Sequence, residues 1–446
     1  MFKPTLLAAA LAGALPLPAL AVSDADLAAL RAEFQQQLDH KLKELQARYE
    51  DRLKQMEARL ATPDAPAPAP REARSNDFNP ELSLILQGGY ARHKSGERRP
   101  TGFLRDAAIS APARGFSLND SELILSANID PDFRGQATVI LADGQANVEE
   151  AWFQTLALDH GLTVKGGRFL SGIGYANEQH PHAWDFADNN LMYQTLFGEH
   201  FTQDGLQLKW LAPTDTFLEL GGEIGNGNAF PGANGGGGRN GIGSWAAFAH
   251  VGGDVGESSA WRAGLSRLAA RPRGRESKLF DTAGVDTNNT FSGRSRTWIA
   301  DFVWKWAPDG NPRERNFKFQ SEYFQRDEDG ELIHDTSGVN TPGAYRARQS
   351  GWYAQGIWQF MPRWRAGLRY DQLHRGELDF GANQAALLPA GYTPSKWSLM
   401  ADWSPSEFSR FRLQLARDHA ILGNPDDHQV SVQYIHSLGT HGAHKF

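Results

Sequence analysis

From Phe78 onward the chain alternates between apolar and polar positions. In Leu82-Ser83-Leu84-Ile85-Leu86-Gln87, residues 82, 84 and 86 share one face. Leu206-Gln207-Leu208-Lys209-Trp210, Trp298 to Trp306 and Phe411 to Leu415 repeat the pattern, with Lys, Gln, Arg or Asp on the opposite face. A period of two predicts strands of a sheet with one apolar and one polar side. A soluble sandwich would carry the same signal, so the connections decide. Seven short ones stand out: Asp130 to Asp132, Asp159 to Gly161, Ala212 to Asp215, Gly252 to Glu257, Pro308 to Pro312, Met361-Pro362 and Ser404 to Ser406. Aromatic residues flank several of them, among them Trp210, Phe217, Trp306, Trp364 and Trp403. Between them lie mostly longer, polar, Gly-rich connections such as 225–242 and 269–295. Short turns alternating with long loops, and aromatics at the turns, are the marks of a transmembrane barrel. Seven inner turns imply eight outer loops and an all-β, 16-stranded antiparallel transmembrane β-barrel over residues 78–446, with fourteen and eighteen strands as the neighbouring counts. The last strand alternates back from the terminal Phe446, like the assembly signal of outer-membrane proteins.

The region before the barrel follows other periods. Residues 1–21 read as a signal peptide, with Lys3, an apolar run from Leu6 to Leu15 and the small residues of Ala19-Leu20-Ala21. Over 22–60 the large residues run Leu27, Leu30, Phe34, Leu38, Leu42, Leu45, Tyr49, Leu53, Met56 and Leu60. That is an eleven-residue repeat, which keeps one apolar stripe nearly straight along an α-helix and gives slight right-handed coiling on pairing. The stripe predicts a periplasmic amphipathic helix that self-associates as a coiled coil, with a homotrimer as the expected assembly. Residues 61–77 are a Pro/Ala linker, extended and semi-rigid.

Composition changes this picture little. Mean hydropathy is negative and 22% of residues are charged, which argues against a helical membrane protein but not against a barrel. The absence of Cys excludes disulfides, thiolate metal sites and Cys nucleophiles. A formal charge of -7 gives no reason to expect nucleic acid as a partner. The Gly-rich stretch 225–243 lacks the Gly-Lys-Ser/Thr of a phosphate-binding loop, and neither a Ser nucleophile motif nor H-E-x-x-H is present, so no enzyme is expected.

Candidate chemistry gathers in the third outer loop, Leu170 to Gln203, which contains no Lys or Arg. Glu178, Asp185 and Asp188 would line a pore constriction there and favour cations. His180, His182 and His200, with Asp185 and Glu199, offer imidazole and carboxylate ligands suited to Zn²⁺ in transit, with no resident cofactor expected. His436, His441 and His444 form a sparser second group. On the walls, Arg363, Arg365 and Arg369 share one face of a strand, and Arg410 and Arg412 repeat this nearby. Burying Arg in lipid costs roughly 2–4 kcal/mol at mid-membrane, so these side chains should point into the lumen. They would set a field across the pore against the acidic loop, or pair with its charges.

The signal, the helical extension, the strand count and Gly167-Arg168-Phe169 running into Gly172, Gly174 and Glu178 resemble the phosphate-selective porin O/P family. The resemblance implies a sixteen-stranded porin whose third loop folds inward. Glu178 to Phe186 and the ending His441 to Phe446 are similar to proteins labelled zinc-regulated or TonB-dependent receptors. A receptor of that kind needs a 22-stranded barrel and a plug, for which the first 76 residues leave no room. The expectation is a passive channel for small solutes or ions, including divalent metal, embedded in the lipid of a Gram-negative outer membrane. A structural or adhesive barrel with a closed lumen, or an anion porin, are the alternatives.

Overall fold

The computed structural model describes residue 43 and residues 80–94, 100–107, 113–142, 144–232, 241–387, 391–421 and 426–439. The chain divides into compact units at 1–77 and 78–446. Apart from residue 43, the expected signal (1–21), helix (22–60) and linker (61–77), and the closing residues His441, His444 and Phe446, lie outside the described residues.

Sixteen strands follow one another in the second unit: β1 (Glu81–Arg92), β2 (Ser121–Asn128), β3 (Phe133–Ala142), β4 (Gln145–Thr155), β5 (Leu162–Leu170), β6 (Thr202–Leu211), β7 (Phe217–Gly225) and β8 (Ser244–Val255), then β9 (Ser259–Ala270), β10 (Asp286–Trp306), β11 (Asn316–His334), β12 (Thr341–Met361), β13 (Trp364–Asp379), β14 (Ser395–Ser406), β15 (Ser409–His419) and β16 (Asp427–Gly439). Each pairs antiparallel with its neighbours in sequence, and β1 closes on β16 from Ser83↔Gly439 to Arg92↔Val430. The result is a closed 16-stranded antiparallel barrel, the architecture the turns predict. All seven short connections join hairpins where expected. β8 runs on to Val255 and β14 to Ser406, so those two turns are tighter than the sequence suggests. Short extra strands at Arg105–Asp106, Gly115–Leu118 and Arg275–Phe280 lie within outer connections. The last of these and the start of β10 occupy much of 269–295, which the sequence reads as plain loop.

The outward positions are apolar and exposed, as with Leu413, Leu415, Val432 and Tyr434. On the short-turn side, rings touch in a row from Trp364 to Trp403 (centroids 5.8 Å), Phe411 (5.8 Å) and Tyr434 (4.5 Å). A second group, Trp352, Tyr370 and Trp397, stands farther along the same outer face. Amphipathic rings at two levels with aliphatics between them form an interfacial girdle.

The inward positions are not uniformly polar. Ile299, Phe324, Tyr353 and Leu373 point inward and are fully buried, because a loop helix packs on them inside the barrel. The main core therefore lies in the lumen. Farther along, β10 to β13 outgrow their neighbours at 21, 19, 21 and 16 residues, and their inner face holds a second cluster of Leu279, Phe291, Leu332, Tyr345 and Phe380.

An outward Leu413→Arg substitution, at a half-exposed mid-strand position, is expected to destabilise the barrel by about 2–4 kcal/mol in reversible urea unfolding from phospholipid vesicles. An unchanged midpoint would contradict the assignment of this face to lipid.

Candidate functional site: a loop docked inside the barrel

The connection between β5 and β6 does not leave the barrel. It turns inward at Ser171 and packs its short helix, α1 (Leu191–Leu196), against the apolar inner wall. All six residues of α1 are buried, and the Asn190 side chain caps it by accepting from the Tyr193 N–H at 3.1 Å. Asn177 ties the two ends of the loop together. Its amide donates to the Ser171 and Phe201 carbonyls, and its side-chain oxygen accepts from the Phe201 N–H.

Wall carboxylates hold the ascending part of the loop by its backbone. Glu223 accepts from Ser171 Oγ and the Gly172 N–H, and Glu322 accepts from the N–H groups of Tyr175 and Ala176 and from the Tyr193 hydroxyl. Gly174 sits between them at φ +65, where a Cβ would collide with Glu322 and Tyr193. Its glycine is therefore required on two counts.

Wall cations hold the middle of the loop. Asp185 meets Lys318 Nζ at 2.5 Å and Arg365 Nη1 at 3.3 Å. Asp188 meets Arg369 Nη2 at 2.9 Å and also pairs with Lys396. Arg412 donates to the carbonyls of Trp184 and Phe186, and Arg410 to that of Trp184. Asp402 on β14 in turn pairs with Arg365 and Arg412. The loop's acids and the wall's arginines, which the sequence left either opposed across the pore or paired, are thus brought together as pairs. Glu178 stays exposed on the loop's open side, 3.9 Å from Lys209. Arg363 falls outside the wall: it occupies the β12–β13 turn at φ 69, where its exposed side chain donates to the Pro405 carbonyl. Lys318 and Lys396 complete the wall, and their signal is a lone Lys beside aromatics in an alternating strand (Phe317-Lys318-Phe319, Lys396-Trp397).

The histidines part company. His200 stacks on Trp184 (5.4 Å) and places Nδ1 3.1 Å from the Asn177 carbonyl, while Asp185 is taken by Lys318 and Arg365. At Glu199 the chain turns at φ 89 and the N–H donates to the Tyr193 carbonyl. His180 and His182 lie on either side of Pro181 and face glutamates of the barrel wall. His180 Nδ1 is 2.9 Å from Glu149 and 3.4 Å from Glu122, His180 Nε2 is 3.1 Å from Glu150, and His182 Nδ1 is 2.8 Å from Glu122. Among the described residues, Glu122, Glu149 and His180 are the group whose ligand atoms could share a metal ion. The glutamates carry one sequence signal, the doublet Glu149-Glu150, which breaks the alternation of β4.

Burial lowers the His180 imidazole, but its bonds to Glu149 and Glu150 and the charge of Glu122 carry it well above its ordinary value. Burial raises the Asp185 carboxyl, and Lys318 and Arg365 outweigh that to hold it well below the usual range. At His200 burial outweighs the charge of Glu149 and depresses the imidazole.

No family model matches the chain. An uncharacterised protein of Aquifex aeolicus (strain VF5) is 30% identical over 396 residues, spanning 83% of this chain and 80% of that one. The chain belongs to that protein's family. Among solved structures, OmpT of Vibrio cholerae aligns over 80% of this chain and 97% of its own at 10% identity and a TM-score of 0.49. The outer membrane channel DcaP of Acinetobacter baumannii aligns over 81% and 97% at 13% and 0.47, and OprB of Pseudomonas putida over 80% and 94% at 15% and 0.47.

Asp188→Ala would leave the buried Arg369 and Lys396 with Asp371 between them but one positive charge uncompensated. A loss of about 3–5 kcal/mol is expected, with the loop opened to protease; wild-type protection and stability would contradict the pairing. A carboxyl held below its ordinary value stabilises the docked state fully above that value and lets go only as pH falls through the lowered one. Protease resistance of the loop should therefore hold from pH 7 down to about pH 5 and fail only in strong acid; loss between those values would show that Asp185 is not an anchor.

Proposed function

We propose that this protein is an outer-membrane porin of a Gram-negative bacterium, a passive channel for small hydrophilic solutes with a preference for cations. One observation carries the reading: a closed barrel, apolar outside, is narrowed by an inward loop fixed to its inner wall. On the loop's Tyr175 to His180 stretch Tyr175, Gln179 and His180 are partly exposed and Glu178 is exposed, as are in part Glu149, Lys165 and Lys209 on β4, β5 and β6. With Asp185 and Asp188 paired to wall cations, Glu178 is the loop's exposed acid. A carboxylate at a narrow, low-dielectric passage lowers the barrier for cations. Assembly as a homotrimer through the N-terminal helix belongs to the same proposal.

A second reading has its own support. Ile299, Phe324, Tyr353 and Leu373 are bulky inward residues sealed under the loop. A lumen sealed throughout would make the protein a structural barrel.

Single-channel recording of the refolded protein in planar bilayers separates these. Stepwise openings with a reversal potential on the cation side are expected, and Glu178→Lys should move that potential toward anions. Silence from a folded barrel would support the sealed barrel, and anion preference in the wild type would overturn the assignment of Glu178.

A further inference from the structure

The glutamates opposite His180 are arranged as no simple salt bridge requires. β3 and β4 slip register at Thr138/Val139, so that Glu150 opposes Thr138 while Val148 opposes Val139 and Glu149 is the extra residue. Such a bulge re-aims side chains. Here two consecutive glutamates reach one imidazole from the same strand. Glu122, on β2, comes to it from another direction. It is fully buried, and among the described residues its Oε2 accepts no hydrogen bond, though it faces His180 Nδ1 at 3.4 Å. A buried carboxylate oxygen left without a hydrogen-bond donor is costly, and a cation placed against it would offset that cost.

We infer that Glu122, Glu149 and His180 form a binding site for a divalent first-row metal ion, of which Zn²⁺ is the probe, and that the bound ion fastens the loop to the barrel wall. One atom from each of the three lies within 4.8 Å of the other two. His180 Nδ1 stands 2.9 Å from one carboxylate and 3.4 Å from the other. Ligands held about 2.0–2.2 Å from a tetrahedral ion are about 3.4 Å apart, so small shifts admit the ion. Ligation through Nδ1 needs the ring proton on Nε2, and Glu150 is the acceptor placed there at 3.1 Å. A carboxylate on the second nitrogen of a ligating histidine is the usual orienting partner of such sites. Glu150 is itself held by the Leu170 N–H at 3.0 Å. His182 bonds the other oxygen of Glu122 and stacks on His180, which fixes both rings. Three protein ligands leave a fourth position open, and the side chains of His180 and Glu149, 16% and 14% exposed, give a path to it. The ligand set differs from the loop-only set His180, His182, Asp185, Glu199 and His200, because two of its three members are on the wall. The site stands whether or not the barrel conducts.

Calorimetric titration of the refolded full-length protein with Zn²⁺ tests this, with folding of every variant checked by its heat-dependent gel migration. One ion per chain is expected. Glu149→Gln and His180→Gln should each weaken binding at least ten-fold, and Glu150→Gln, which removes only the orienting partner, by about 10–100-fold. His160→Gln, in an exposed turn, should leave it unchanged. Absence of binding by folded wild type, or full affinity in a folded Glu122→Gln/Glu149→Gln double variant, would overturn the assignment. If Glu122→Gln proves too poorly folded to test, an undiminished affinity in Glu149→Gln alone does so.

Discussion

The constraint on which the rest of this structure depends is that the third outer loop is charged in the opposite sense to the wall it meets. Asp185 and Asp188 are inserted among Lys318, Arg365, Arg369 and Lys396, and Arg410 and Arg412 fill the carbonyls between them. Neither side is stable alone inside a barrel. Without the loop, six inward cations would face only Asp371 and Asp402 among the acids paired with them, and a buried loop backbone without donors would leave its carbonyls orphaned. Together they fix where the loop lies inside the barrel.

The docking has three chemistries in sequence along the loop. Wall glutamates take the backbone N–H groups of its start, wall cations take the carboxylates and carbonyls of its middle, and an apolar patch takes α1. Each would be weak evidence of function by itself. In combination they make a rigid partition. The channel proposed above needs its narrow part held against fluctuation, and this division of labour between hydrogen bonds, ion pairs and burial supplies that.

Much of the fold was legible from residue order. Period-two alternation and seven short turns are local signals, and they set the strand number and the boundaries of the third loop. The loop's charges and the arginine face were legible as residues but not as partners, since Asp185 and Arg365 are 180 positions apart. Charge pairing across a closed barrel depends on strand tilt and stagger, which no local pattern encodes. Arg363 shows the converse: counted by twos it joins Arg365 and Arg369, yet it falls in the turn, one residue before β13 begins. Ile299 and Phe324 were hidden for another reason. Apolar inward residues look like noise in an alternating pattern until something inside the barrel is there to cover them. Glu122 and the Glu149 bulge were missed because an inward glutamate is ordinary in a polar lumen, and only its neighbours make it a site.

The chain contains no cysteine, so a placed pair reports proximity without background. The most direct measurement of the account is cross-linking between Ala187→Cys on the loop and Gln414→Cys on β15, using a short bis-maleimide on the folded protein in membranes. The Ala187 N–H donates to the Gln414 side chain at 2.7 Å, so a high-yield intramolecular link is predicted. A folded barrel in which both thiols react singly and never with each other would place the loop outside the lumen and contradict the docked partition.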